Sequence, residues 1–281
     1  MRITGKSSEN DSSPANNGRI KSGSAPKYPT EDRSKSTMAN FCTDDTKSAT
    51  AIPAVICDFD DTVTFQNIAE LLLEAFCLDP NWRQLQKASR DQILSLREYQ
   101  ERAFRSTKAG RRIMQRKVKD SANVRPHFKN LWEYCVLRSY PMAIVTVGLD
   151  FYVDAVLERE SLNDIPRFAV ETEFIDGNIH FNYPYSWDGS GAAPKEICQR
   201  WGTCKCSVVT KYQREGYSVL YIGDGRSDFC AASIADNVFA RSNLATECDK
   251  NGIRYSEFRD FGDVILELAK LEIREDSIND R

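Results

Sequence analysis

The run Ala54-Val55-Ile56-Cys57-Asp58 constrains the fold more than any other stretch of the chain. It is too short for a stable helix, too uniformly apolar for a strand with one wet face, and it ends on a carboxylate. A strand buried on both faces of a parallel sheet meets all three conditions. Similar runs recur at residues 142–146 and 218–222, with a weaker one at 237–240, and each leads into polar or glycine-bearing residues. Helical periodicity follows at 151–160, 229–235 and 261–271. This alternation predicts a doubly wound, mostly parallel α/β sheet, with ligands bound beyond the carboxyl ends of its strands.

Between residues 65 and 139 the pattern is helical only, which reads as a cap inserted after the first strand. Ile68, Leu71, Leu72, Ala75 and Phe76 form one apolar face, Asp79-Pro80 stops that helix, and Ile93, Leu96, Tyr99 and Phe104 continue the pattern. A segment over 168–183 alternates around Asp176-Gly177, a hairpin signal. The catalytic core is therefore expected over 51–64 and 140–273. Residues 1–50 carry few large apolar side chains and read as a disordered tail, with Met38 as an alternative start; 274–281 read as a polar C-terminal tail.

A net charge of −3 exerts no overall pull on nucleic acid or an anionic membrane, so neither is an expected partner. No apolar run approaches the roughly 18 residues of a membrane span. The polar start argues against a secretory signal, and a cytoplasmic protein is expected. The nine cysteines are an odd number and scattered, so reduced thiols are expected. Cys198, Cys204 and Cys206 lack the C-x₂-C spacing of a zinc half-site and have no second cluster, which gives no expectation of a structural metal there. Oligomeric state has no sequence signal.

Two carboxylate motifs follow predicted strands. In Asp58-Phe59-Asp60-Asp61-Thr62, Asp58 and Asp60 are two apart and point the same way if the chain stays extended, while a turn would aim nearby amides at a phosphate. Gly223-Asp224-Gly225-Arg226-Ser227-Asp228 follows the third run. Either motif alone is also a turn or a helix cap. If they converge, like charges near 4 Å repel by roughly 4 kcal/mol per pair at an effective dielectric of about 20, so a cation is needed. An all-oxygen set favours a hard one, and Mg²⁺ fits because it takes few protein ligands and bridges to phosphate oxygen.

These motifs, with Thr146 ending an intervening strand and Lys205 between Thr146 and Asp224, resemble the four signature motifs of the haloacid dehalogenase superfamily. The resemblance extends from Ala54 to Leu271 and implies a Rossmann-like core. The helical insert is similar to the cap of the phosphoserine phosphatase-like branch. Val124-Arg125-Pro126 with Phe128, residues 146–153, and Asp228 followed by Ala231-Ala232 are most similar to methionine-salvage phosphatases, which act on 2-hydroxy-3-keto-5-methylthiopentenyl-1-phosphate.

The resemblance implies a Mg²⁺-dependent phosphatase acting on a small-molecule phosphate ester through an aspartyl-phosphate. Asp58 would be the nucleophile and Asp60 the acid and then the base. Thr146 would donate its hydroxyl to a phosphoryl oxygen and Lys205 would neutralise charge. Asp58, Asp60 (through its backbone carbonyl), Asp224 and Asp228 would hold the metal, and Phe59, Asp61, Thr62, Val147 and Gly148 would surround the phosphate. Lys195 and Lys211 compete with Lys205, although the Gly202-Thr203-Cys204 context resembles the third motif better. Phe65-Gln66-Asn67 stands where phosphoserine phosphatases carry a glutamate for the substrate ammonium, which disfavours phosphoserine.

The basic residues Lys108, Arg111, Arg112, Arg116, Lys117 and Lys119 read as a solvated helix face. Neither His127 nor His180 lies near a motif, so histidine-based nucleophilic catalysis has no support. The alternatives are a phosphomutase, a receiver-like signalling module and a silent phosphate-binding protein.

Overall fold

The computed structural model describes residues 51–189 and 195–279. The expected N-terminal tail, including Met38, lies outside these residues. Seven strands form one sheet in the order β4-β3-β2-β1-β5-β6-β7: β1 (Pro53–Cys57), β2 (Met142–Leu149), β3 (Arg167–Ile175), β4 (Asn178–Asn182), β5 (Ser218–Gly223), β6 (Asn237–Ala240) and β7 (Ser256–Glu257). Only β3 and β4 pair antiparallel, and every other adjacent pair is parallel. Asp176 and Gly177 both have positive φ, at 49° and 74°, as a two-residue hairpin turn of the mirror-image type requires.

β1 sits at the centre because it is apolar on both faces: Ala54, Val55, Ile56 and Cys57 are all fully buried. Val55 is in register with Met142 on one side and Leu220 on the other. The chain leaves β1 outward through β2 and β3, then returns to β5 on the opposite side. The sheet's switch point thus lies between β1 and β5, where Asp58 and Asp224 emerge, and the crevice of a doubly wound fold opens there.

Four helices form the insert: α1 (Ile68–Phe76), α2 (Trp82–Arg90), α3 (Leu96–Arg105) and α4 (Arg111–Ser121). Asn67 caps α1 by accepting from the Glu70 amide, and α3 starts on a reciprocal Ser95–Glu98 capping box. The buried face of α1 is Ile68, Ala69, Leu72 and Leu73, with Ala75 exposed, so the expected face is rotated toward the Leu73 side. Ile93 falls in the turn between α2 and α3 and is 75% exposed, so it does not belong to the α3 face. The insert joins the core at a neck, where Thr64 bridges antiparallel to Val124 and the Arg125 amide donates to the Val63 carbonyl at 2.8 Å.

The remaining helices are α5 (Phe128–Leu137), α6 (Asp150–Glu160), α7 (Lys195–Cys198), α8 (Lys205–Arg214), α9 (Phe229–Ala232), α10 (Ser242–Asn251) and α11 (Phe261–Asn279). α5 packs on α11, with the Phe128 and Phe261 rings 4.9 Å apart. Because α5 packs on the C-terminal helix, we propose that the insert, expected to end at residue 139, ends at the neck. α11 runs to Asn279, past its expected end at Leu271, while α9 stops at Ala232 after a 3₁₀ turn over Arg226–Asp228. Among the described residues no helix is long and apolar enough to cross a membrane.

Phe261 is fully buried between Phe128 and Phe258. Truncating Phe261→Ala removes most of a large side chain from a closed core and is expected to cost about 3–5 kcal/mol, read as a lower urea midpoint.

Candidate active site

The carboxyl end of β1 turns sharply. The Asp58 amide still donates to Ile222 of β5 at 2.9 Å, but the next carbonyl, Phe59, accepts from Thr62, Val63 and Thr64 at 3.3, 2.8 and 3.1 Å. The chain therefore coils back at once, with Asp61 in the left-handed region at φ 61°. Phe59 is wholly buried under the turn. The buried Arg125 guanidinium clamps it from behind, donating to the carbonyls of Thr62, Asp61 and Arg259 at 2.9, 3.0 and 3.2 Å.

Two carboxylates of this turn are held differently. Asp58 accepts from the Lys205 ammonium at 2.6 Å through Oδ1. Asp60 accepts from the Ile68 amide through Oδ1 and from the Tyr152 hydroxyl through Oδ2, each at 2.7 Å. Burial raises the Asp60 pKa to about 7, although the bonds from Tyr152 and Ile68 pull it back. Burial thus makes this carboxyl easier to protonate near neutral pH than an exposed carboxylate.

From β5, Asp224 accepts from the Thr62 hydroxyl at 3.2 Å. Asp228 is fully buried and has both oxygens engaged: Oδ1 accepts from Lys205 at 2.5 Å and Tyr221 at 2.6 Å, Oδ2 from the amides of Asp224 at 3.1 Å and Gly225 at 2.8 Å. Asp58, Asp224 and Asp228 each offer an oxygen, all within 4.8 Å of one another. Burial, and then Asp228, raises the Asp58 pKa well above the usual carboxylate range; the same two causes bring Asp224 to about 7. Burial alone would lower the Lys205 pKa, but Asp228 and Asp58 outweigh it and raise it. Three carboxylates against one ammonium leave unbalanced negative charge, and an all-oxygen donor set of this kind suits a hard divalent cation.

β2 supplies the third wall. Its pairing with β3 shifts register between Val145 and Leu149, a bulge of the sort found beside active sites. There the Thr146 hydroxyl accepts from the Gly148 amide at 2.9 Å, which leaves its proton to donate. Gly148 has no room for a side chain: a Cβ would lie 2.2 Å from the Tyr152 hydroxyl and 2.8 Å from Asp60 Oδ2. Asp58, Asp60, Asp61, Thr146, Val147 and Asp224 open onto a cavity of ≈ 590 Å³, closed on the insert side by Leu96, Tyr99 and Gln100, with Trp201 beside them.

Residues 54–249 match the model of a family described as Putative Phosphatase, a span that covers more than half of the chain. The chain belongs to this family. It is 32% identical over 225 residues to the 2-hydroxy-3-keto-5-methylthiopentenyl-1-phosphate phosphatase of Exiguobacterium sibiricum, covering 78% of this chain and 97% of that one. It is 29% identical over 220 residues to the enzyme of the same name from Bacillus velezensis, covering 76% and 89%. Substrate-bound phosphoserine phosphatase shares the fold at a TM-score of 0.58 and 15% identity, covering 78% of this chain and 99% of that one. A haloacid dehalogenase family hydrolase from Salmonella enterica serovar Typhi does so at 0.56 and 14%, covering 70% and 66%. The chain is therefore a phosphoric monoester hydrolase, and it shares its fold with a haloacid dehalogenase family hydrolase, as the resemblance of its motifs led us to expect.

In this phosphatase the side chains expected from the sequence fall into two shells. Asp58, Asp60, Asp61, Thr146, Val147 and Asp224 face the cavity, whereas Phe59, Thr62, Gly148, Lys205 and Asp228 are buried behind them. Of the lysines that compete for the third motif, Lys211 is half exposed and pairs with Glu215, and the Lys195 side chain lies outside the described residues. The basic run on α4 does not line the cavity; Lys119 pairs with Glu158 at 2.7 Å. Tyr152, Tyr221, Tyr99 and Gln100 were not singled out for the site. A tyrosine inside an otherwise aliphatic run, as at Tyr221, was the one signal present, because a buried phenol needs a partner.

Lys205→Met would leave Asp58 and Asp228 buried without a counter-charge. A loss of about 3–5 kcal/mol in unfolding free energy is expected. Unchanged stability by urea denaturation would mean that the ammonium does not hold the two carboxylates.

Proposed function

We propose that the chain hydrolyses 2-hydroxy-3-keto-5-methylthiopentenyl-1-phosphate through an aspartyl-phosphate on Asp58. The observation that carries the chemistry is the pair Asp58 and Asp60 on one turn, the first held by an ammonium and the second by a phenol and an amide. Lys205 occupies Asp58 Oδ1, so Oδ2 attacks phosphorus while Asp60 gives its proton to the departing oxygen. Asp60, now a carboxylate, takes a proton from the water that cleaves the acyl phosphate, and free phosphate leaves. The Thr146 hydroxyl and the amides of Phe59 and Asp61 bind the phosphoryl oxygens, whereas the Thr62 amide is already committed to the Phe59 carbonyl. A Mg²⁺ ion held by Asp58, the Asp60 carbonyl and Asp224 would neutralise charge on the transferring group. Asp228, with both oxygens already engaged, would reach such an ion through water.

The substrate assignment rests on the names of the relatives and on the insert side of the cavity. Leu96, Tyr99 and Trp201 offer apolar surface to a thioether chain. Glu70 also lines the cavity but pairs with Arg90 at 3.0 Å rather than standing free for a substrate ammonium, in keeping with the expectation that phosphoserine is disfavoured.

Phosphate release from this enol ester and from p-nitrophenyl phosphate is expected to require Mg²⁺ or a similar ion, with no isomerised phosphate ester formed. Asp58→Asn should reduce turnover by roughly 10⁴-fold or more with an unchanged circular dichroism spectrum. Activity retained in that variant would exclude Asp58 as nucleophile, and isomer formation would favour a mutase.

Tyr152→Phe removes the donor that orients Asp60. It is expected to slow alkyl phosphates, whose leaving group needs a proton, about 10–100-fold, and p-nitrophenyl phosphate far less. Equal losses on both substrates would mean that the phenol serves the fold alone.

A further inference from the structure

Four cysteines from two distant stretches of chain meet beside the active site. Cys198 ends α7, Cys204 precedes α8, Cys206 lies in its first turn and Cys230 lies in α9. They form one buried cluster, with exposures of 1%, 1%, 0% and 5%. The Cys198 and Cys206 sulfurs are 3.5 Å apart, those of Cys204 and Cys206 3.4 Å, and the three lie within 4.8 Å of one another. Cys230 belongs to the same buried cluster but lies outside the trio of sulfurs that are all within 4.8 Å of one another. The C-x₅-C-x-C spacing gave no reason to expect a metal, because the fourth member comes from beyond β5 and only folding brings it in.

We propose that Cys198, Cys204, Cys206 and Cys230 bind a structural zinc ion as a tetrahedral tetrathiolate. With Zn–S bonds of about 2.3 Å, the sulfurs of such a site are about 3.8 Å apart along each edge, close to the 3.5 and 3.4 Å that separate Cys206 from Cys198 and Cys204, and Cys230 completes the set by turning toward the ion. A disulfide needs sulfurs about 2.05 Å apart, so these distances are not those of an oxidised pair. A single buried cysteine is an ordinary small apolar residue. Here, however, the thiols pack on one another, and the Ser207 hydroxyl donates to Cys204 Sγ at 2.9 Å, the hydrogen bond that a metal-bound thiolate accepts.

The position gives the ion a purpose. Lys205 lies between two of the ligands and Asp228 stands two residues before a third, so the site clamps the turn that carries the ammonium to the loop that carries its carboxylate partner. The inference does not depend on the identity of the substrate.

Full-length protein without an affinity tag, purified in reducing buffer and equilibrated with zinc, is expected to retain about one zinc ion per chain after gel filtration, measured by plasma mass spectrometry. Cobalt in its place should give the intense visible bands and sulfur-to-metal charge transfer of four-thiolate tetrahedral coordination. Cys206→Ser and Cys230→Ser should each lower zinc content at least tenfold, whereas Asp224→Asn, which alters the carboxylate cluster, should retain it. Should the serine variants fail to fold, the unaltered chain still decides: a mercurial reagent should release the zinc in step with thiol modification. A cobalt spectrum without sulfur ligation, full reactivity of the thiols in zinc-equilibrated native protein, or disulfides among these four cysteines would each overturn the proposal.

Discussion

The ammonium of Lys205, 1% exposed and wedged between Asp58 and Asp228, is the interaction on which the site depends. A buried lysine is costly unless its charge is met, and two buried carboxylates are costly without it. The three groups come from β1, α8 and the loop after β5, so each fixes the others across the switch point of the sheet. Asp228 then extends the order outward, since its remaining bonds hold the amides of Asp224 and Gly225 and the phenol of Tyr221. What is left is an excess of negative charge at the cavity floor, aimed where a cation and a phosphate would meet.

A second set of constraints sets the distance between the reacting groups. Arg125 donates to three carbonyls and so stiffens the turn after β1 from the side away from the cavity. Arg125 itself follows the neck of the insert, so the turn that carries Asp58 and Asp60 and the base of the helical insert share one anchor. On the opposite wall the lack of a side chain at Gly148 lets Tyr152 reach Asp60, and any larger residue would displace one or the other.

The sheet and the order of the motifs were legible because buried parallel strands are written as apolar runs and because such folds put functional groups at their carboxyl ends. Asp58, Thr146 and Asp224 could be found that way. Lys205 could not be chosen over its neighbours by spacing alone; context favoured it, and burial between two carboxylates distinguishes it. Tyr152, four residues after Gly148 on a helix, reads as one more core aromatic until Asp60 is beside it. The face of α1 was misjudged at Ala75 because every residue of that helix except Glu70 and Glu74 is apolar, so periodicity left its rotation undetermined. α5 looked like part of the insert because a helix that packs on a distant C-terminal helix carries no local mark of its partner.

Gln100 sits where the insert meets the core. Its amide nitrogen donates to the Val147 carbonyl at 3.0 Å and ties α3 to the end of β2, while its oxygen is buried without a partner. A buried carbonyl left unmet costs free energy that water would return if α3 lifted. The side chain that fastens the insert therefore also carries part of what is needed to loosen it.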